Sequence, residues 1–267
     1  MAADLIDVWD IDTFDRDLIA QLHANAALMC SYMSTDREIL LERIASEPRA
    51  AYRSNPHAES YLSFVEDLGR HMEARTIRAW HYTRLTDSEV ETLLTVGIRP
   101  STLETTRQRL DAQIAAGQIS GEVGKALFEA SPLHDPQQVE PRSNKFWLIS
   151  HPMKVEDDRV TLLLNNWGGE VVYFWLEASH LQQIVGRIGR ARVLEVGVPL
   201  DATRHVYSAS KAVAATFARR LGCVSDFEAF DLCAIRPLGP EAVLTIHTEG
   251  ETAFDQIGKR YPIDFHP

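Results

Sequence analysis

The chain has 267 residues, 27 of them basic and 38 acidic, for a formal charge of -11; 45% are hydrophobic and 24% charged. This is the composition of a globular protein long enough for a real core. It excludes a generally basic nucleic-acid binder, and no apolar run of about 18 residues is present to cross a membrane.

The start, Met1-Ala2-Ala3-Asp4, is acidic and lacks an apolar stretch, so no secretory leader is expected. Cys30, Cys223 and Cys233 are sparse, odd in number and outside any CxxC spacing. Neither a disulfide framework nor a zinc site is expected from them, and a reducing cytoplasm is the expected compartment. Charge is uneven along the chain. Residues 1–75 hold 14 acids against 7 arginines, a balance of -7, whereas residues 76–267 are only -4.

Residues 1–75 read as helical. Leu18, Leu22, Leu28 and Met29 recur at mostly helical intervals between Phe14 and Met33. Ser34 is placed to cap a following helix with Ile39, Leu40 and Ile44 as its apolar stripe. Asn55-Pro56 is a break, and Tyr61, Leu62, Val65 and Leu68 begin another stripe. From residue 76 the pattern changes. Thr76 to Thr83 suits a strand, and Thr86-Asp87-Ser88-Glu89 opens a helix that Gly97 closes. Residues 102–130 predict two helices parted near Gly117. Strands are expected at Phe146–Ser150, Glu170–Leu176, Val193–Val198, Phe227–Ile235 and Ala242–Thr248, and a helix at Ser208–Leu221. This order predicts an α+β fold, with a helical segment over 1–75 and a mixed or antiparallel sheet domain over 76–267. No GxGxxG or GxxxxGK[ST] is present to cradle phosphates in a Rossmann or P-loop manner.

Three stretches carry candidate chemistry. In Trp80-His81-Tyr82-Thr83-Arg84, alternation puts His81 and Thr83 on one face. His81 suits a ribose hydroxyl or an amide, Thr83 supports the same ligand, and Arg84 suits a phosphate. Against this stands a plain buried strand whose histidine is satisfied by backbone. In Asn165-Asn166-Trp167-Gly168-Gly169-Glu170, the glycines permit close backbone approach and Trp167 is placed to stack on a ring. The bland alternative is a hairpin turn feeding a core strand. Tyr207-Ser208-Ala209-Ser210-Lys211 has a dehydrogenase-like Tyr-x-x-x-Lys spacing, but the glycine fingerprint that belongs with it is absent, so Ser208 or Ser210 reads as a helix cap. The remaining histidines have no metal-ligand spacing.

The His-x-Thr of residues 81–83 resembles the first motif of ADP-ribosyltransferases. That resemblance implies a split mixed sheet, NAD as substrate, and His81 on the NAD ribose. It implies a middle strand supplied by Phe146–Ser150, with Ser150 at its end, and offers Tyr173 as a second middle-strand residue. The Glu-x-Glu of Glu249-Gly250-Glu251 matches the family's late acidic motif, making Glu251 the expected catalytic carboxylate, with Glu249 orienting the acceptor. Glu170 competes for the catalytic role. Trp167 or Tyr173 would stack on nicotinamide. The acceptor, a protein, RNA or DNA, is open, and the resemblance implies a toxin or defence effector. Two other classes stay open: a nuclease-type toxin using His81 with His151 or His247 as acid and base, and a non-enzymatic interaction module.

Overall fold

The computed structural model describes residues 5–45, 53–225, 228–259 and 261. Its elements in chain order are β1 (Leu5–Ile6), α1 (Arg16–Ala24), α2 (Ala26–Ala45), α3 (Ala58–Met72), β2 (Thr76–Leu85), α4 (Asp87–Val96), α5 (Leu103–Ala115), α6 (Gly121–Glu129), α7 (Pro136–Arg142), β3 (Phe146–Ile149), α8 (Asp158–Asn165), α9 (Glu170–Tyr173), α10 (Ser179–Val185), β4 (Arg190–Pro199), α11 (Val206–Arg220), β5 (Asp231–Ala234), β6 (Val243–Thr248) and α12 (Thr252–Gln256), besides short 3-10 turns. The fold is α+β. Among the described residues no helix is long and apolar enough to cross a membrane.

The chain forms two compact units: residues 1–78, 199–230 and 260–267 make the first, and residues 79–198 and 231–259 the second. A simple cut at residue 75 therefore does not describe the organisation. The chain returns to the first unit after β4, and α11 belongs with the N-terminal helices. Their shared packing carries this return, since α11 lies against both α2 and α3.

In the first unit α3 buries Tyr61, Phe64, Val65, Leu68 and Met72 on one stripe. These fall at three- and four-residue steps, so one helical face is apolar and must find a partner. Tyr61 stacks on Tyr32 of α2 with ring centroids 3.9 Å apart. Ser34 lies inside α2, a 20-residue helix, instead of starting a new one. The sequence reading of the cysteines is also corrected. Cys30 and Cys223 form a disulfide, their Cα atoms 5.5 Å apart and 193 positions apart in sequence. Cys233 lies outside that bond, buried in β5. β1 runs parallel to the start of β2, Leu5 opposite Thr76 and Ile6 opposite Ile77.

The second unit is built on the sheet order β5-β3-β2-β4-β6. β3 is antiparallel to both β2 and β5, with Trp80 opposite Ile149 and Phe146 opposite Ala234. β4 and β6 are antiparallel, with Arg192 opposite Thr248. The expected strand at residues 227–235 narrows to β5, and Phe227 lies outside the described residues. The expected strand over Glu170–Leu176 is overturned, because Glu170–Tyr173 is the short helix α9. Positive φ at Gly168 (92°) and Gly169 (67°) turns the chain there, a conformation costly to any residue with a Cβ. Val171, Val172 and Leu176 then join Leu110, Leu127 and Trp167 in a helical core cluster.

Candidate functional site

Strand alternation places Ala79, His81 and Thr83 on one face of β2, and Trp80, Tyr82 and Arg84 on the other. The His81 ring is partly buried, 4.2 Å from the Phe146 ring. Its Nδ1 lies 2.7 Å from the Trp147 carbonyl oxygen. A carbonyl only accepts, so Nδ1 carries the proton and the neutral ring keeps a lone pair on Nε2. Burial pushes the His81 pKa down to about 4, with the positive charge of Arg109 acting in the same direction. The imidazole is therefore neutral across the physiological range, an acceptor or a base at Nε2.

Arg109 belongs to a buried polar framework that starts in a helix cap. Thr86 caps α4 in a reciprocal box with Glu89. Glu89 Oε2 accepts from Thr86 N at 2.8 Å and from Trp167 Nε1 at 2.8 Å, while Oε1 accepts from Arg109 Nε at 2.8 Å. Burial alone would raise this carboxyl, but Arg109 and the two N–H donors outweigh it and hold the pKa below the ordinary value. The Arg109 guanidinium sits 5.0 Å over the Trp167 ring, and its Nη1 reaches the Gly168 carbonyl at 3.4 Å. Arg109 Nη2 is buried with no hydrogen-bond partner among the described residues.

Beyond Gly168 the chain enters α9. Glu170 is half exposed and pairs with Arg142 at 3.3 Å. Arg142 lies 4.3 Å over the Phe174 ring, and its Nε is buried with no hydrogen-bond partner among the described residues. Burial and the neighbouring Glu170 push the Tyr173 hydroxyl up to about 12, so it stays a neutral donor. Trp147, whose carbonyl holds His81, donates its Nε1 to the Pro141 carbonyl at 2.9 Å, next to Arg142. His81 is thus tied to Trp147, Trp147 to the Pro141 carbonyl, and Arg142, the residue after Pro141, to Glu170. The charge of Arg109, itself bonded to the Gly168 carbonyl, acts on His81 and lowers its pKa.

The other candidates stand elsewhere or are closed off. Trp167 is fully buried, so it supports Glu89 and Arg109 and has no face to offer a ligand. Ser150 is fully buried and Thr83 nearly so, which removes both from contact with a cofactor. Arg84, on the opposite face from His81, donates to the Ile188 carbonyl at 2.9 Å and lies 3.9 Å from Glu249. Glu251 turns back on its own chain, Oε2 accepting from Thr248 N at 2.9 Å. Among the described residues no hydrogen bond or ion pair links Glu251 to His81, whereas Glu170 shares the Arg142 and Trp147 segment with it. His247 pairs across strands with Glu195 at 2.7 Å. His151 lies against Arg159 and Asp157, and burial pushes its pKa down to about 4.

Glu89, Arg109 and Arg142 are absent from the sequence-based candidates. Glu89 carried a legible signal, the Thr-x-x-Glu cap, but that signal speaks of a helix start, not of a carboxylate shared with a tryptophan and an arginine. Among the described residues no group of three or more His, Cys, Asp or Glu side chains is arranged to hold a metal ion. Comparison with family models, curated proteins and solved structures finds no match for this chain.

Proposed function

We propose that the chain is an NAD-consuming ADP-ribosyltransferase, with His81 and Glu170 as its working pair. The observation that carries the reading is the fixed neutral tautomer of His81 on a central strand, with a half-exposed carboxylate on the same framework. Nε2 of His81 accepts a hydrogen bond from a ribose hydroxyl of NAD. The glycosidic bond to nicotinamide breaks and its electron pair leaves with the neutral nicotinamide. Positive charge then grows at the anomeric carbon, where the Glu170 carboxylate stabilises it. The acceptor, a protein or a nucleic acid, forms the new bond to that carbon and loses a proton. Arg109 and Arg142, whose side chains keep 32% and 12% of their surface exposed, suit the phosphate oxygens of the same substrate. A cytoplasmic place of action follows from NAD as substrate, and a toxin or defence role would appear as growth arrest on induced expression in a bacterial host.

Nicotinamide release from NAD, followed by chromatography, tests this. Glu170→Gln and His81→Ala are expected to lower the rate by about 100-fold or more with the fold retained, in the range of a lost transition-state contact. Glu251→Gln should stay within about twofold, since its carboxylate is engaged with its own turn. A collapse in Glu251→Gln alone would move the site to the other end of the sheet. Absence of release by the wild-type chain would remove the NAD reading altogether.

The pH profile carries a second signature. With its pKa near 4, His81 loses its lone pair only in strong acid. The rate is expected to stay level between about pH 8 and pH 5 and to fall toward pH 4, with no inflection near the ordinary histidine value of about 6.5. Stability follows the same sign. The unfolded histidine binds its proton first, so this contribution is complete above about pH 6.5 and is lost as pH falls toward 4. An acid limb centred near 6.5 would show that His81 is solvated in the working state.

A further inference from the structure

We infer that the groove between α4 and β6 in the second unit docks an extended, lysine- or arginine-bearing peptide of a partner protein, which adds as a strand to the β6 edge. The inference is independent of the NAD reading.

β6 is the last strand of its sheet path, paired to β4 on one side only. Glu249 N donates to the Ala191 carbonyl at 3.0 Å, which fixes the alternation: residues 249, 247 and 245 turn their backbone groups to β4. Ile246 and, beside the register shift, Leu244 then turn theirs outward. Among the described residues no strand pairs with β6 on that side. At Thr248 the outward N–H is taken by the Glu251 carboxylate at 2.9 Å. Glu251 therefore stops the open edge at one end, which leaves room for a short added strand and blocks a long one.

A cavity of about 340 Å³ runs along this edge, walled by Val90 and Leu94 of α4 and by Leu244 and Ile246 of β6. An edge strand beside a helix, with apolar walls, is the geometry in which a peptide gains main-chain hydrogen bonds from the strand and sets alternate side chains in pockets. Charge selects the occupant. Neither α4 nor β6 contains a lysine or arginine, and Glu91 of α4 and Glu241 just before β6 are exposed, whereas Asp87 and Glu249 already meet Arg192 and Arg84. Arg192 beneath the groove is buried and already bonded to Thr248 Oγ1 and Asp87. A segment with alternating β-branched residues and basic flanks answers both the edge and the rim.

The test uses the full chain and labelled, terminally blocked octapeptides Lys-X-Thr-X-Val-X-Thr-Lys, with X varied over Val, Ile, Leu and Phe, read by fluorescence anisotropy. Binding is expected for at least one peptide, weakened at least tenfold by glutamate flanks and by N-methylation of alternate backbone amides. Ile246→Pro removes an outward N–H together with one apolar wall side chain, and Leu94→Asp changes an exposed wall; each should weaken binding at least tenfold with an unchanged circular dichroism spectrum. Absence of binding across the series, or binding that survives N-methylation or Ile246→Pro, overturns the proposal. So does self-association of the chain that Ile246→Pro abolishes, because a second copy would then be the occupant.

Discussion

Reducing the Cys30–Cys223 bond is expected to lower the unfolding midpoint by roughly 10 °C. The two cysteines are 193 positions apart. Closing so long a loop removes conformational entropy from the unfolded chain worth at most about 5 kcal/mol at 25 °C on the chain-entropy model. For a protein of this size about 2 °C of midpoint corresponds to 1 kcal/mol. The bond ties α2 to the turn after α11, two elements that also pack directly on each other, so reduction should destabilise without dissolving the fold. Calorimetry with and without a phosphine reductant measures the shift, and Cys30→Ser should reproduce it in oxidising buffer. Thiol titration of the denatured, unreduced protein should find one thiol, Cys233, and three after reduction. Three thiols before reduction, or a midpoint indifferent to reductant, would mean that the bond does not form in solution. The consequence reaches the cellular setting. A disulfide persists in oxidising surroundings and is reduced in a thiol-buffered compartment, so in a reducing compartment the protein would be the less stable, reduced species.

This bond also shows where sequence reasoning ends. Spacing rules detect cysteines close in sequence and arranged by motif; they carry nothing about a pair that a 20-residue helix and a returning segment bring together. The α2–α3–α11 packing is the missing information, and it is tertiary. Local signals fared better where local physics decides. Thr86 and Glu89 marked the start of α4, and Gly97, with φ of 93°, its end. The alternation of β2 placed His81 and Thr83 on one face. The failure at Glu170–Leu176 is of the other kind. Val171-Val172-Tyr173-Phe174-Trp175 has strong strand propensity, but propensity for a pleated surface is a statement about neighbours. The two positive-φ glycines and the apolar cluster around Leu110 and Leu127 supply helical neighbours instead. Phe174 and Trp175, expected inside a strand core, are about two-fifths exposed, Phe174 beneath Arg142.

The candidate site was legible only in part, for a related reason. His81 and Glu170 stood out as chemistry-bearing residues in unusual surroundings; His81 bonds the Trp147 carbonyl and Glu170 pairs with Arg142. Trp167 stood out equally and turns out to be a buried brace. Sequence alone does not separate the two cases, since a tryptophan beside Gly-Gly serves a ligand or a core equally well. The difference is the partner of its indole N–H, and that partner, Glu89, lies 78 positions away.

That partnership gives the second large effect. Glu89→Ala is expected to destabilise the protein by about 2–3 kcal/mol, because it removes the counter-ion of Arg109, a charge that solvent screens in part at 32% exposure. Two smaller losses fall within the same change: the α4 cap, about 1 kcal/mol, and a buried Trp167 N–H without an acceptor. Arg109→Met should cost less, since Glu89 keeps the donors of Thr86 and Trp167. The double variant should recover at least about 1.5 kcal/mol relative to the sum of the singles, the mark of a directly coupled pair. Urea denaturation of the four proteins measures this, and a coupling below about 0.5 kcal/mol would show that solvent already screens the pair. The same variant reports on the candidate site. Burial is the main cause holding His81 near 4 and the positive charge of Arg109 a lesser one in the same direction, so in Arg109→Met the His81 pKa should rise modestly. NMR titration of the ring proton reads that rise directly, and the acid limb of nicotinamide release should move upward with it. A stability loss with an unmoved His81 would confine Arg109 to bracing the helical core; movement of both would show that the Glu89–Arg109–Trp167 framework adds to burial in keeping the histidine neutral.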